Sequence, residues 1–221
     1  MKIAPCIFAL CALLLGEPAC SQNTGSDNDF NAATDAVRDH EFAKAIDLFL
    51  PLAESDMADA QFNLAVLYKL GRGYPQNFPE AFYWSALSFL GEGSYAKDMV
   101  DELKDAMPPN QRDSVIARIK TRLNAQIELG DVAATRKLAR LFMELMEEPD
   151  YPSAYSWFSI CYALGDNDCK QGRDDAGDEL DAEALNKAQA ETAKIFTASA
   201  FARTERAEPT ATNIQPSPAE N

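Results

Sequence analysis

The sequence predicts an all-α fold, a short α-solenoid built from antiparallel helix pairs. First, Ala, Leu, Glu and Lys dominate the interior of the chain, whereas β-branched residues are sparse and the period-2 alternation of strands is missing. Second, apolar residues recur every four positions, as at Val115, Ile119, Leu123 and Ile127, which places them in one stripe on a helix. Third, the helix pattern of the first half returns in the second half, and duplicated helix units form solenoids.

Capping and helix-breaking residues delimit six helices in the first part of the chain. Pro51 is expected to bend or end the second helix. Ser94 is a candidate cap for the fifth helix, and after the break at Pro108-Pro109 we expect Asn110 to cap a long sixth helix. The six predicted helices are Phe30–Arg38, Glu41–Glu54, Ala58–Leu70, Pro79–Leu90, Tyr95–Met107 and a segment from Asn110 to Leu129.

Four further helices repeat this pattern. Gly130 follows the long helix, as glycine often does at a helix end. Beyond it, Ala154 and Trp157 stand 73 positions after Ala81 and Trp84. The additional predicted helices are Asp131–Met146, Pro152–Leu164, Asp168–Leu180 and Ala182–Arg203. This internal duplication is the main sequence evidence for a solenoid.

The two ends of the chain differ from its helical middle. Lys2, the apolar run 7–15 and the small residues up to Ser21 are typical of a secretory signal peptide, which we predict over residues 1–21. Residues 22–28 are predicted as a linker, 29–204 as the solenoid and 205–221, which contain three prolines, as a disordered tail. The apolar run is too short to span a bilayer. We therefore expect a periplasmic or secreted protein without an integral membrane segment after signal cleavage.

A lipid anchor at Cys20 is an alternative interpretation of the same N-terminal segment. Cys20 closes the signal and would become the modified first residue of a lipoprotein. Glu17 disfavours this alternative, since it stands where lipoprotein signals carry a bulky apolar residue.

The charge of the chain narrows the range of partners. Its formal net charge is -15 and its pI is about 4.4. Such a surface repels phosphate backbones and anionic headgroups, so we expect no nucleic-acid partner and no direct adsorption to membranes. A basic partner, or no charged partner at all, fits this charge better.

One segment of the chain carries a specific family pattern. It combines small residues, Leu and Tyr, a Gly-x-Gly loop, and an Ala followed by two aromatic residues; these are Ala60, Ala65, Leu67, Tyr68, Gly71, Gly73, Ala81, Tyr83 and Trp84. The segment resembles a Sel-one-like repeat, a relative of the tetratricopeptide repeat. The resemblance is clear over 58–92 and degenerate over 132–165, where the glycine pair is missing and the loop is one residue shorter. It implies helix pairs stacked into a superhelix and a non-enzymatic interaction scaffold or adaptor of the bacterial cell envelope.

Two cysteines remain in the predicted solenoid, Cys161 and Cys169. Each lies four residues from Gly165, which joins two predicted antiparallel helices. The two Cα atoms should therefore come within the roughly 4.4–6.8 Å that a disulfide requires, and an exported protein meets an oxidising compartment. The alternative is that both are small buried residues at a tight helix crossing.

The sequence offers little for catalysis or cofactor binding. His40 is the single histidine and sits in a predicted turn, so neither a zinc pair nor a nucleophile–histidine system is indicated. In the acidic run after Gly165, Lys170 occupies the third ligand position of an EF-hand-like loop, which argues against calcium. We predict no enzyme activity, no metal and no cofactor.

The remaining candidate site is the concave face of the stacked helices. The tetratricopeptide register places one set of residues of the clear repeat and its counterparts in the degenerate repeat on this face; they are Asp59, Phe62, Val66, Lys69 and Leu70, then Ala133, Arg136, Arg140, Met143 and Glu144. We hypothesise that this face binds another protein or peptide with some acidic character. Alternatively, Phe62 and Val66 pack on the preceding helix pair. Two further hypotheses are an envelope-assembly factor anchored through Cys20 and a glycan-binding or glycan-handling protein.

Overall fold

The computed structural model describes residues 24–93 and 95–202, and every regular element among them is a helix. Most helices pack against the next helix in the chain, which makes the described part an α-solenoid. A π-helical turn, Leu141–Leu145, continues α7. The helices are α1 (Thr24–Arg38), α2 (Phe42–Glu54), α3 (Ala58–Leu70), α4 (Phe78–Leu90), α5 (Ala96–Ala106), α6 (Pro109–Glu128), α7 (Val132–Arg140), α8 (Tyr151–Ala163), α9 (Cys169–Asp178) and α10 (Ala182–Ala198).

Two four-helix units follow the first helix pair and share one packing pattern. In the first unit, α3–α6, helix α4 contacts α3, α5 and α6. In the second unit, α7–α10, helix α8 contacts α7, α9 and α10. The starts of α4, α5 and α6 lie 73 residues before those of α8, α9 and α10, whereas α3 begins 74 residues before α7. The offset changes because the loop after the first helix is one residue shorter in the second unit.

Alanines and aromatic residues form the contacts between paired helices. The alanines Ala60, Ala65, Ala81 and Ala86 are fully buried, and so are their counterparts Ala134, Ala139 and Ala154. A larger side chain at these positions would push the helix axes apart, because interiors are packed as densely as crystals. The rings of Tyr83 and Trp84 are buried as well and lie edge to face, with centroids 5.0 Å apart.

The loop between α3 and α4 requires its glycines for two reasons. Gly71 and Gly73 have positive φ values of 67° and 79°, which non-glycine residues rarely adopt. A Cβ atom on Gly73 would also lie 2.6 Å from the backbone of Phe42. The loop therefore packs directly on the start of α2.

The structure corrects three expectations about helix ends. Helix α1 begins at Thr24, inside the predicted linker 22–28, because a polar composition does not prevent a helix that buries Ala33 and Ala36. Helix α2, in contrast, ends at Glu54 as predicted; Pro51 lies inside it, and Leu52 and Ala53 are buried in the core. The other two corrections concern the starts and ends of the long helices. Helix α6 begins at Pro109, so Asn110 lies in its first turn instead of capping it, and α10 ends at Ala198, with residues 200–202 helical beyond the bend at 199.

Several predictions fall outside the described residues. They are the signal peptide 1–21, the lipid anchor at Cys20, the cap at Ser94 and the tail 205–221. Within 24–93 and 95–202, none of the helices combines the length and the hydropathy needed to cross a bilayer.

Candidate interaction surfaces

The predicted face of α3 is partly covered by α5 and the turn before it. Phe62 and Val66 are half-buried, and the Phe62 ring lies 6.4 Å from that of Tyr95. Lys69 forms an ion pair with Glu102 of α5, whereas Asp59 is exposed at the start of α3. Phe62 thus contacts a residue that follows it in the chain.

Arg136 of α7 contacts two loops through its guanidinium. It lies 3.2 Å from Glu92, 3.5 Å from Asp166 and 3.3 Å from Asp168. These acids belong to the turn after α4 and to the turn between α8 and α9. Its positive charge is therefore neutralised within the chain.

Arg140 binds the C-terminal end of α4. Its Nη1 donates hydrogen bonds to the carbonyl oxygens of Phe89 and Leu90 at 2.9 and 3.1 Å, and its guanidinium lies 4.7 Å from the Phe89 ring centroid. Its other nitrogens donate to the carboxylate of Glu144. Because the last carbonyls of a helix lack partners within that helix, this contact stabilises α4 and ties the two units together.

The structure brings four of the five predicted residues of the second unit, all except Ala133, into one groove of about 240 Å³ between α7 and α9. Met143 and Phe158 provide its apolar part, and four carboxylates surround the two arginines. The predicted residues of α3 do not line it. The α7–α9 groove is lined by Glu92, Arg136, Arg140, Met143, Glu144, Phe158, Asp168, Gly172 and Asp175.

A second groove, which sequence analysis missed, lies between α8 and α10. Its volume is about 530 Å³, and most of its lining is apolar, with Trp157 on one side and alanines and Ile195 on the other. The α8–α10 groove is lined by Pro152, Ser153, Ser156, Trp157, Ala184, Lys187, Ala188, Ala190, Glu191, Lys194 and Ile195.

The first unit fills the corresponding space with its own side chains. Tyr83 and Val115 are buried there, at the positions of Ser156 and Ala188. The guanidinium of Arg118, which corresponds to Glu191, lies 3.7 Å from the Tyr83 ring centroid and pairs with Glu80. The α8–α10 groove therefore results from two large-to-small replacements and the loss of this stacked arginine. A residue-by-residue comparison of the two repeats would have revealed it.

A half-buried polar cluster joins the first helix pair to both units, and no sequence pattern indicated it. Asp56, in the turn before α3, lies 3.3 Å from Arg122, 3.3 Å from Lys137 and 2.5 Å from the amide nitrogen of Gln126. Gln61 also donates to Asp56. Since 66 to 81 residues separate Asp56 from its partners on α6 and α7, spacing along the chain gives no signal for this cluster.

Burial and neighbouring charges shift the pKa of Asp56 in opposite directions. Burial alone would raise the pKa of its carboxyl group, but Lys137, the Gln126 hydrogen bond and Arg122 together outweigh burial and hold the pKa below its ordinary value of 3.8. The carboxylate is therefore the favoured form in the folded chain. In the same cluster, Gln61 Oε1, Arg122 Nε and Gln126 Oε1 are buried without a hydrogen-bond partner.

Cys161 and Cys169 form a disulfide, with their Cα atoms 6.0 Å apart and both side chains fully buried. A carboxylate oxygen of Asp166 and the two cysteine sulfurs all lie within 4.8 Å of one another. The disulfide engages both sulfurs, so neither is available as a thiolate ligand. His40 is exposed in the turn between α1 and α2, where its ring stacks on Phe42 at 5.6 Å.

Comparison with known proteins adds a distant structural likeness. No family model and no curated protein sequence matches the chain. Among solved structures, the chain is similar to a protective antigen of uropathogenic Escherichia coli strains that displays an SLR fold, with a TM-score of 0.39 and 19% sequence identity. The similarity covers 89% of this chain and 35% of the antigen, so the chain spans about a third of that protein's length.

Proposed function

We propose that this protein is a non-enzymatic interaction scaffold of the bacterial cell envelope, related to Sel-one-like repeats, that binds a partner protein along the α7–α9 groove. The observation that carries this proposal is the groove itself, in which four predicted residues meet between two helices; they are Arg136, Arg140, Met143 and Glu144. Open surfaces between stacked helix pairs are the usual binding sites of solenoid proteins. In this proposal, residues 1–21 direct export and 29–204 provide the scaffold.

The charges in the groove favour a basic partner segment, in keeping with the net charge of the chain, over the acidic one suggested by the residues of the predicted concave face. Both arginines are engaged, Arg136 with three acids and Arg140 with Glu144 and the end of α4. Asp175 is exposed at the groove edge, next to Met143 and Phe158. A segment with a lysine or arginine beside an apolar side chain matches this arrangement, since paired charges fix orientation and steer association.

The test is capture of partners from envelope extract by residues 22–221, with wild type and variants compared. Asp175→Lys with Met143→Ala should reduce recovery of the specific partner at least about fivefold, a loss typical of disrupting two contacts at an interface. Asp178→Lys is the matched control, because it makes the same charge change on α9 outside the groove. Equal recovery with the groove variant and wild type, at unchanged helicity, would contradict the proposal.

A further inference from the structure

We propose that the α8–α10 groove is a second docking site, which takes an amphipathic helical segment of a partner protein with one bulky aromatic side chain flanked by carboxylates. The groove shares no residue with the α7–α9 groove. This inference therefore stands independently of the proposed function of the other surface.

The first unit indicates how large a side chain the α8–α10 groove can accept. There, the ring of Tyr83 and the side chain of Val115 occupy the interface of α4 with α6. The second unit has Ser156 and Ala188 at these positions, and Ser156 Oγ donates to the carbonyl oxygens of Pro152 and Ala188 at 2.9 and 3.3 Å. The hydroxyl is thus satisfied within the fold, while the space of an aromatic ring stays open above Trp157.

The spacing along α10 suits a helix as the occupant. Ala184, Ala188, Glu191 and Ile195 line the groove at intervals of four, three and four residues, which is one continuous stripe of a helix. The alanines at its start allow a second helix to approach closely with its large side chains pointing inward. Helix-in-groove binding uses this combination of a shallow apolar stripe and a few inserted anchors.

The charges at the rim indicate the chemistry of the flanking residues. Lys187 and Lys194 stand seven residues apart, about two turns, on the edge of the groove. Their counterparts in the first unit, Ser114 and Thr121, are uncharged. Each lysine pairs only with an exposed glutamate of its own helix, Glu183 or Glu191, and such pairs contribute little to stability. Carboxylates of a partner helix can therefore replace the two glutamates as partners of these lysines at a small cost in free energy. Elsewhere the net charge of -15 repels acidic groups.

The probe is an acetylated 16-residue alanine-based peptide with one tyrosine and two glutamates seven residues apart. Its affinity for residues 22–221 is measured by isothermal titration calorimetry, next to peptides in which the tyrosine is alanine or both glutamates are lysine. We expect binding of the first peptide and at least about tenfold weaker binding of each other peptide, since each removes one of the two matched features. Equal affinity of all three peptides would overturn the proposal.

Two variants place the site on the chain. Ser156→Tyr restores the residue of the first unit and should abolish binding by filling the groove. Lys187→Glu with Lys194→Glu leaves the core untouched and should weaken binding about tenfold. The matched control is Lys44→Glu with Lys97→Glu, because both of these lysines are also exposed and paired with an acid on or next to their own helix.

The same measurements distinguish other occupants. Equal weakening by the control pair, or full binding by Ser156→Tyr with unchanged helicity, would overturn the proposal. Tighter binding after removal of residues 203–221 would assign the groove to the chain's own C-terminal segment instead. A dimer in sedimentation equilibrium that Ser156→Tyr dissociates would assign it to a second copy, and both of these results reject the partner helix.

Discussion

The first and second units share a helix arrangement but differ in how their last helices pack. Helix α6 buries five apolar residues, Val115, Ile116, Ile119, Leu123 and Ile127, whereas Ala188 is the one buried residue of α10. Helix α6 lies between α4 and α7, and α10 packs on α8 without a following unit among the described residues. Among these residues α10 is therefore covered on one side only, and it buries fewer apolar side chains. The two units thus share the scaffold and differ in the packing of their last helix.

The second unit also shows compensated replacements inside its core. Ser85 and Met99 of the first unit correspond to Phe158 and Gly172 of the second. A Cβ atom on Gly172 would lie 2.5 Å from the Phe158 ring. The ring therefore occupies the space of the missing side chain, and total volume is conserved. At the α8–α10 groove no such compensation occurs, which is why that site stands out.

The comparison of the two units predicts that truncating matched apolar side chains lowers the free energy of unfolding by unequal amounts. This is the largest effect that we expect. Leu123→Ala should destabilise the fold by about 2–5 kcal/mol, because Leu123 is fully buried in α6. The matched change Phe196→Ala should cost about half as much, because Phe196 of α10 is only half-buried. Urea denaturation monitored by circular dichroism measures both. Equal losses of unfolding free energy would contradict the view that α10 packs less closely than α6.

A second prediction concerns the disulfide, which the first unit lacks. Cys161→Ser with Cys169→Ala gives the second unit the residues Ser88 and Ala96 of the first. We expect a loss of about 2.5 kcal/mol, the value for removing a cross-link that closes a short loop in the unfolded chain. Urea denaturation of the double variant is compared with that of the wild type, measured in oxidising and in reducing buffer. If reduction does not change the urea midpoint, the disulfide does not stabilise the second unit.

A third prediction concerns Asp56, which lies in the turn before the first unit. Asp56 and Gly130 occupy matched positions, and both have positive φ, 64° and 88°. Asp56→Asn should lower the unfolding free energy by about 2 kcal/mol at pH 7, because it leaves Lys137 and Arg122 without their half-buried carboxylate partner. Since the folded pKa of Asp56 lies below 3.8, its contribution is full above that value and disappears as the pH falls through the folded pKa.

The pH dependence provides its own control. The difference in unfolding free energy between wild type and Asp56→Asn should shrink steadily from pH 5 towards pH 2. Asp59→Asn, an exposed carboxylate three residues away, should show no comparable difference. A difference that stays constant with pH would indicate that the loss comes from packing and not from the charge.

The smallest expected effect compares the filled interface of α4 and α6 with the α8–α10 groove. Arg118→Ala should cost about 1 kcal/mol, since the guanidinium stacks on Tyr83 and is half-exposed. Glu191→Ala, the matched change, should cost less than about 0.5 kcal/mol because it breaks only an exposed pair with Lys194. Thermal unfolding of both variants checks the order. A larger effect at Glu191 would mean that the α8–α10 groove is stabilised by contacts of its own charges.

Much of the fold was predictable because its signals are local. Apolar spacing and helix-ending glycines placed α2 to α9 close to their observed positions, whereas the start of α1 and the end of α10 were misplaced. The matched Ala81 and Ala154 revealed the duplication. The site was less predictable. Sequence register selected Arg136, Arg140 and Met143, which line one groove, but it did not show that both arginines are engaged by residues far along the chain, as Arg140 is by Phe89 and Leu90.

The sequence by itself determined the helices, their pairing and the two units, since helical period and turn chemistry act over a few residues. Only the tertiary structure decided which side chains meet: the cluster at Asp56, the end of α4 held by Arg140 and the groove above Trp157. The physical reason is that these contacts join helices far apart in sequence. Their outcome depends on the volumes and charges of several side chains at once, and a replacement such as Ser156 for Tyr83 becomes a groove only when the opposite helix is small as well.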